Sequence, residues 1–436
     1  MTIGSFALVP WLLSAVSMQG DPIPIERAAR AFGEIEAASA ADGGKLWGHE
    51  LLGPVLFAER ASRAVVANQP DEESKLTEKD GVFVGVLPPE VGIANTSLQW
   101  AGVRWTMVVW PLPESRYERA WLLLHECFHR IQPLLPHAGS DPPNAHLDGE
   151  AGRAWLRLEM RALAEALVRR SELRERSLED ALLFRAQRRA LFPTAATEEA
   201  ALERNEGLAN YTGLVLSGLP EWVLADRAAA KLERDELSDS FVRSFAYATG
   251  PGYGVLLDEL APGWRPKVDA RSDLAQMLAT AISWKAPEAL AAEAERRAAR
   301  YDGAGVFADE RERAAHRAEL AAAQRARFVD GAVLALPIGS RFSYTFNPND
   351  VSTLEGFGSV YGTAKVTDEW GILEVTSGGL LLLRDSRGML TGLRVPAPAD
   401  PDARPLSGDG WTLALADGWT LGAGERAADR VVQRAK

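Results

Sequence analysis

The stretch WLLLHECFHRIQ, from Trp121 to Gln132, places two of the chain's six histidines four positions apart, with a glutamate between them. Trp121, Leu122, Leu124, Phe128 and Ile131 recur at helical intervals, and Pro133 closes the run. The periodicity predicts a buried helix. On a helix, positions i and i+4 share a face, so His125 and His129 present their imidazoles side by side. Glu126, one residue on, points about 100° further round the axis. Two neutral imidazoles suit one zinc ion, and a carboxylate beside them suits proton removal from water on the metal. Cys127 lies round the helix from the histidine face and is expected as a packed thiol.

A catalytic zinc takes three protein ligands, and two glutamates compete to be the third. Glu150, in HLDGEAGRAW, follows His129 by 21 positions. It also reads simply as a first-turn acid on a helix capped by Asp148, where the helix dipole favours negative charge. Glu206, in RNEGLANYTG, follows His129 by 77. Gly207 and Ala209 beside it allow close helix packing, which favours Glu206.

NEGLANY, from Asn205 to Tyr211, resembles the Asn-Glu-Gly-x-Ala-x-Tyr segment of the aminopeptidase-N-like gluzincin peptidases. The resemblance implies Zn2+ held by His125, His129 and Glu206, with Glu126 as general base. It also implies a zincin-like catalytic region, and hydrolysis of peptide bonds in a peptide or protein substrate by water on the metal. It covers two short segments. The family places its glutamate much closer to the second histidine, so inserted helices are expected between the ligand-bearing ones. The family's Gly-x-Met-Glu-Asn stretch for a free substrate N-terminus is missing, so aminopeptidase specificity is not implied. Gluzincins often add a downstream tyrosine or histidine to steady the oxyanion. SFAYATGPGYGVLLDEL offers Tyr247 and Tyr253 on either side of a Gly-Pro-Gly turn expected to start a helix, and Tyr247 is the choice. Arg243 reads as an exposed arginine or a contact for a substrate carboxylate. His146 and Asn144 are expected to line the cleft. The alternative is a zinc-bearing scaffold or binding protein without turnover, its cleft occluded by the insertion after His129.

The fold class expected around this site is α+β. A region of short strands and one early helix (18–115) has its last strand, VRWTMVVWPLP, at the sheet edge, lining the cleft. A helical catalytic region follows (116–328). Within it, the charges of EAGRAWLRLEMRALAEALVRRSELRERSLEDALLFRAQRRALF read as a solvated face with i,i+4 pairing. Residues 286–328 read as two helices broken at YDGAGV. The end of the chain (329–436) alternates β-formers with turn residues and predicts an all-β domain, a small sandwich or barrel. Its GWTLALADGWTLG reads as a hairpin.

A net charge of −12 argues against nucleic acid as partner, and no stretch is long and apolar enough for a membrane span. One cysteine excludes an internal disulfide framework. The apolar run FALVPWLLSAVSMQG, with small residues ending near Ser17, reads as an export leader over 1–17 and points to a periplasmic or extracellular protein. No Lys or Arg precedes it, and the alternative reading is an apolar N-terminal strand or helix packed on the body.

Overall fold

The computed structural model describes residues 22–137, 139–347 and 350–435; the expected leader over 1–17 lies outside them. The protein is α+β, with a helical body followed by β-sheets. The chain divides after Glu310 into two compact units, and the division falls inside the helix Gly303–Arg325 rather than at the change of texture near 328. This helix and the preceding Leu290–Ala298 are the two expected, separated at Asp302, whose φ of +54° breaks the run.

The first unit opens with α1 (Ile25–Asp42) and six strands: β1 (Val55–Glu59), β2 (Ala64–Ala67), β3 (Thr77–Lys79), β4 (Val82–Val86), β5 (Thr96–Trp100) and β6 (Val103–Trp110). Their order across the sheet is β3-β4-β2-β1-β6-β5. β1 and β6 run parallel and the other pairs antiparallel. Alternation along the strands buries both faces. Val55, Phe57, Val66 and Val108 join the core of the helices, while Leu56, Val65, Trp105 and Met107 form a second cluster on the other face. The strands and helices thus share one core. The edge is not VRWTMVVW, which is β6 and second from the end, but β5, whose polar TSLQW did not read as a strand.

The motif helix is α2 (Arg116–Ile131). After it come two antiparallel long helices, α3 (Glu150–Val168) and α4 (Ser171–Leu191), then α5 (Ala195–Leu202), a π-helical turn at Glu203–Gly207, α6 (Leu208–Val215), α7 (Glu221–Asp235) and α8 (Ser244–Leu260). The α3 and α4 arginines are a solvated face only in part: Arg169 is exposed and pairs with Glu165 at i,i+4. Arg153, Arg157, Arg185 and Arg188 are buried, and their partners come from other elements. Arg185 and Arg188 meet Glu159, Glu199 and Glu203, while Arg153 and Arg157 meet Glu310. A buried charge persists only when paired, and distant carboxylates supply the pairing.

Gly-Pro-Gly is not a turn either. α8 runs straight through it, with Pro251 inside the helix. Proline provides no N–H for the carbonyl four residues back, and that carbonyl, Tyr247 O, instead accepts the side-chain Nδ2 of Asn210. The glycines serve packing. A Cβ on Gly250 would lie 2.2 Å from Gly207 Cα, and one on Gly254 would lie 2.3 Å from the Tyr211 ring.

The second unit pairs a seven-stranded with a five-stranded sheet, and the two share an apolar core. The Trp-Thr-Leu repeats are not a hairpin. Trp411–Leu415 belongs to the five-stranded sheet and Trp419–Ala423 to the seven-stranded one. Between them Gly418 takes a φ of +82°, and each strand sends its tryptophan toward the same core from opposite sheets.

Candidate metal centre

α2 is held from behind by packing and one close crossing. Leu123, Leu124, Phe128 and Ile131 are buried. α6 approaches the helix at Gly213, where a Cβ would lie 2.3 Å from the Trp121 carbonyl oxygen. Trp121 Nε1 donates to both the backbone and side-chain oxygens of Asn210, each at 2.9 Å. The crossing fixes the histidine face of α2 against the turn that carries Glu206.

His125 Nε2 and His129 Nε2 lie 3.2 Å apart, and Glu206 Oε2 lies 3.4 Å from each. Ligand bonds of about 2.0–2.1 Å in a tetrahedron put neighbouring ligand atoms about 3.3 Å apart. The three atoms are therefore spaced as three corners of such a tetrahedron. Glu206 Oε2 is moreover buried and has no hydrogen-bond partner, an expensive condition for a carboxylate oxygen unless a cation completes it. Donor chemistry, spacing and the orphaned oxygen all fit a zinc ion. Glu150 takes no part: it is an exposed residue in the first turn of α3.

The surrounding groups orient the three. His129 Nδ1 lies 2.9 Å from Gln132 Oε1, which can only accept, so Nδ1 carries the proton and Nε2 keeps its lone pair. Gln132 Nε2 in turn donates to the carbonyls of Arg204 and Asn205, at 3.3 Å each, and so ties α2 to the Glu206 turn. Glu206 Oε1 accepts from Arg243 Nη2 at 3.0 Å, and Arg243 also pairs with Asp141. Arg243 is thus engaged in the wall of the cleft. Burial works against ionisation of Glu206, but the close approach of His125, His129 and Tyr247 outweighs it and holds the carboxyl well below its ordinary range.

Tyr247 packs its ring against His125, with centroids 5.5 Å apart and planes 15° from parallel. Tyr253 is fully buried and donates to Glu159 at 2.7 Å, away from the cleft. His146 and Asn144 also miss the cleft: His146 Nε2 meets Glu199 at 2.9 Å, and Asn144 is fully buried. Cys127 is a packed thiol pushed by burial up to about 12.

The cleft has a volume of about 490 Å³. Glu126 lines it beside the two histidines, and burial pushes its carboxyl up to about 7. Asn95, Thr96 and Ser97, at the start of edge strand β5, form part of its wall. These residues, Gln132 and the role of Asn210 escaped the sequence reading. Gln132 did leave a signal, standing three positions after His129 and so on the same helix face.

No protein-family model matches the chain, and no curated protein or solved structure matches it. Among the described residues, no helix is long and apolar enough to cross a membrane.

Proposed function

We propose that the protein is a zinc-dependent peptidase of the gluzincin type, its first unit a zincin-like catalytic body that cuts peptide bonds in a peptide or protein substrate. The observation that carries this reading is the triangle of His125 Nε2, His129 Nε2 and Glu206 Oε2, spaced for a tetrahedral ion, in a cleft that Glu126 also lines. His125, His129 and Glu206 hold the ion. When bound, zinc polarises a substrate carbonyl and makes water a better acid. Glu126 takes a proton from the attacking water and returns it to the leaving nitrogen. Tyr247, the phenol in the cleft wall, donates to the oxygen on which charge develops. β5 is paired on one side only, so its free edge offers backbone groups to a substrate in extended form.

The test has two parts. Elemental mass spectrometry of the protein, purified without added metal, is expected to find about one zinc per chain. Glu126→Gln is expected to keep that zinc and to lose at least about a hundredfold in hydrolysis of a peptide library. A protein that neither contains nor takes up zinc would overturn the reading, as would a Glu126→Gln variant with full activity.

A further inference from the structure

A second pocket, of about 250 Å³, adjoins the metal cleft and shares Leu122 and Asn210 with it. It is smaller than the roughly 300–1,000 Å³ of most small-molecule sites, a size for a side chain rather than a whole ligand. Trp121, Leu122 and Pro113 supply its apolar lining, and Arg227, Lys231 and Arg234 line it as well, with Glu118 as its one acidic residue. Arg227, Lys231 and Arg234 stand at i, i+4 and i+7 of α7 and so face the pocket together.

Among the described residues, two carboxylates pair with these three cations. Glu118 pairs with Arg227. Asp235 serves the other two, one oxygen each: Lys231 Nζ at 2.7 Å and Arg234 Nε at 3.1 Å. The cluster is one negative charge short of balance, in a chain whose net charge is −12. Arg227 Nε is in addition buried with no hydrogen-bond partner.

We propose that this pocket is a specificity subsite for a peptide carboxylate, the side chain of a Glu or Asp near the bond to be cut or the C-terminal carboxylate of a short peptide. The proposal rests on the peptidase reading for its substrate, but its geometry does not involve the metal. A carboxylate seated here restores the charge balance while its stem packs on Trp121 and Leu122. The chain's own negative charge repels acidic peptides at long range, so selection for them has to come from a local cationic surface.

Binding is the test, since it does not depend on turnover. Fluorescein-labelled hexapeptides are titrated into the full-length protein, with and without chelator, and followed by anisotropy. One series places Glu or Gln at each position with an amidated C-terminus; the other compares free and amidated C-termini. A carboxylate at one position, or at the end, is expected to tighten binding about tenfold, the scale of one charge-assisted hydrogen bond. In Lys231→Met/Arg234→Met the preference is expected to vanish. Arg234→Met alone, at a side chain 70% exposed, is expected to reduce it without any demand on folding. The proposal is overturned if no peptide binds, if Glu and Gln, or free and amidated ends, bind alike throughout, or if the preference survives in the double variant. Carboxylate-selective binding without hydrolysis would sustain the pocket and overturn the peptidase reading alone.

Discussion

His129 is held through both of its ring nitrogens, Nε2 toward Glu206 and Nδ1 toward Gln132. Gln132 fixes the tautomer that leaves Nε2 free to bind a cation, and its amide reaches the backbone beside Glu206. Gln132→Ala is therefore expected to weaken zinc binding about 10- to 100-fold while leaving the helical signal intact; competition against a chromogenic chelator measures it. Asn210 has a comparable position. It accepts from Trp121, donates to the Tyr247 carbonyl that Pro251 leaves without a helical partner, and contacts His125. The paired histidines and Glu126 were legible because helix geometry places neighbours four apart by local rules alone. Arg243 was not, because its meaning depends on Asp141 and Glu206, residues that only the folded chain brings to it.

α8 crosses the Glu206 turn at the Gly207–Gly250 contact, backbone against backbone. No side chain is there to give way, so Gly250→Ala must push the two elements apart. Overpacking of this kind costs typically about 1–3 kcal/mol, and a lower urea midpoint is the expected result. Because the displaced element carries Glu206, zinc affinity should fall in the same variant, whereas Gly33→Ala inside α1, where an added Cβ meets nothing within 4 Å, should leave zinc affinity unchanged and raise the urea midpoint slightly. At this scale the sequence misled in an instructive way. Gly-Pro-Gly ordinarily signals a turn, but tertiary packing can demand small residues inside a helix, and the Asn210 amide replaces the hydrogen bond that Pro251 removes. The α3 and α4 charges misled for a related reason. Periodicity gave the helices correctly, but it cannot distinguish a face turned to water from one turned to Glu159, Glu199 and Glu203.

The two compact units have separate cores, and a chain with two such cores need not unfold in one step. Calorimetry is expected to show two transitions. Removing zinc with a chelator should lower only the one belonging to the unit that contains His125, His129 and Glu206, since a ligand stabilises only the body that binds it, by about 2.7 kcal/mol at a hundredfold excess over Kd. The change from helix-rich to strand-rich sequence was legible along the chain, because periodicity and residue type both switch there. The absence of a division near residue 115 was not, since only the folded sheet shows that its strands and the helices bury a common core. The separation of His129 from Glu206 has a consequence of its own. Each doubling of a loop adds only about 0.6 kcal/mol of closure entropy, so the α3–α4 excursion is an inexpensive insertion at equilibrium. It matters in time. The His125–His129 pair comes together within α2 alone, whereas Glu206 arrives from 77 positions further on and closes a far longer loop. Zinc would then act as a clock for assembly, its uptake marking the moment when the longest loop in the site closes.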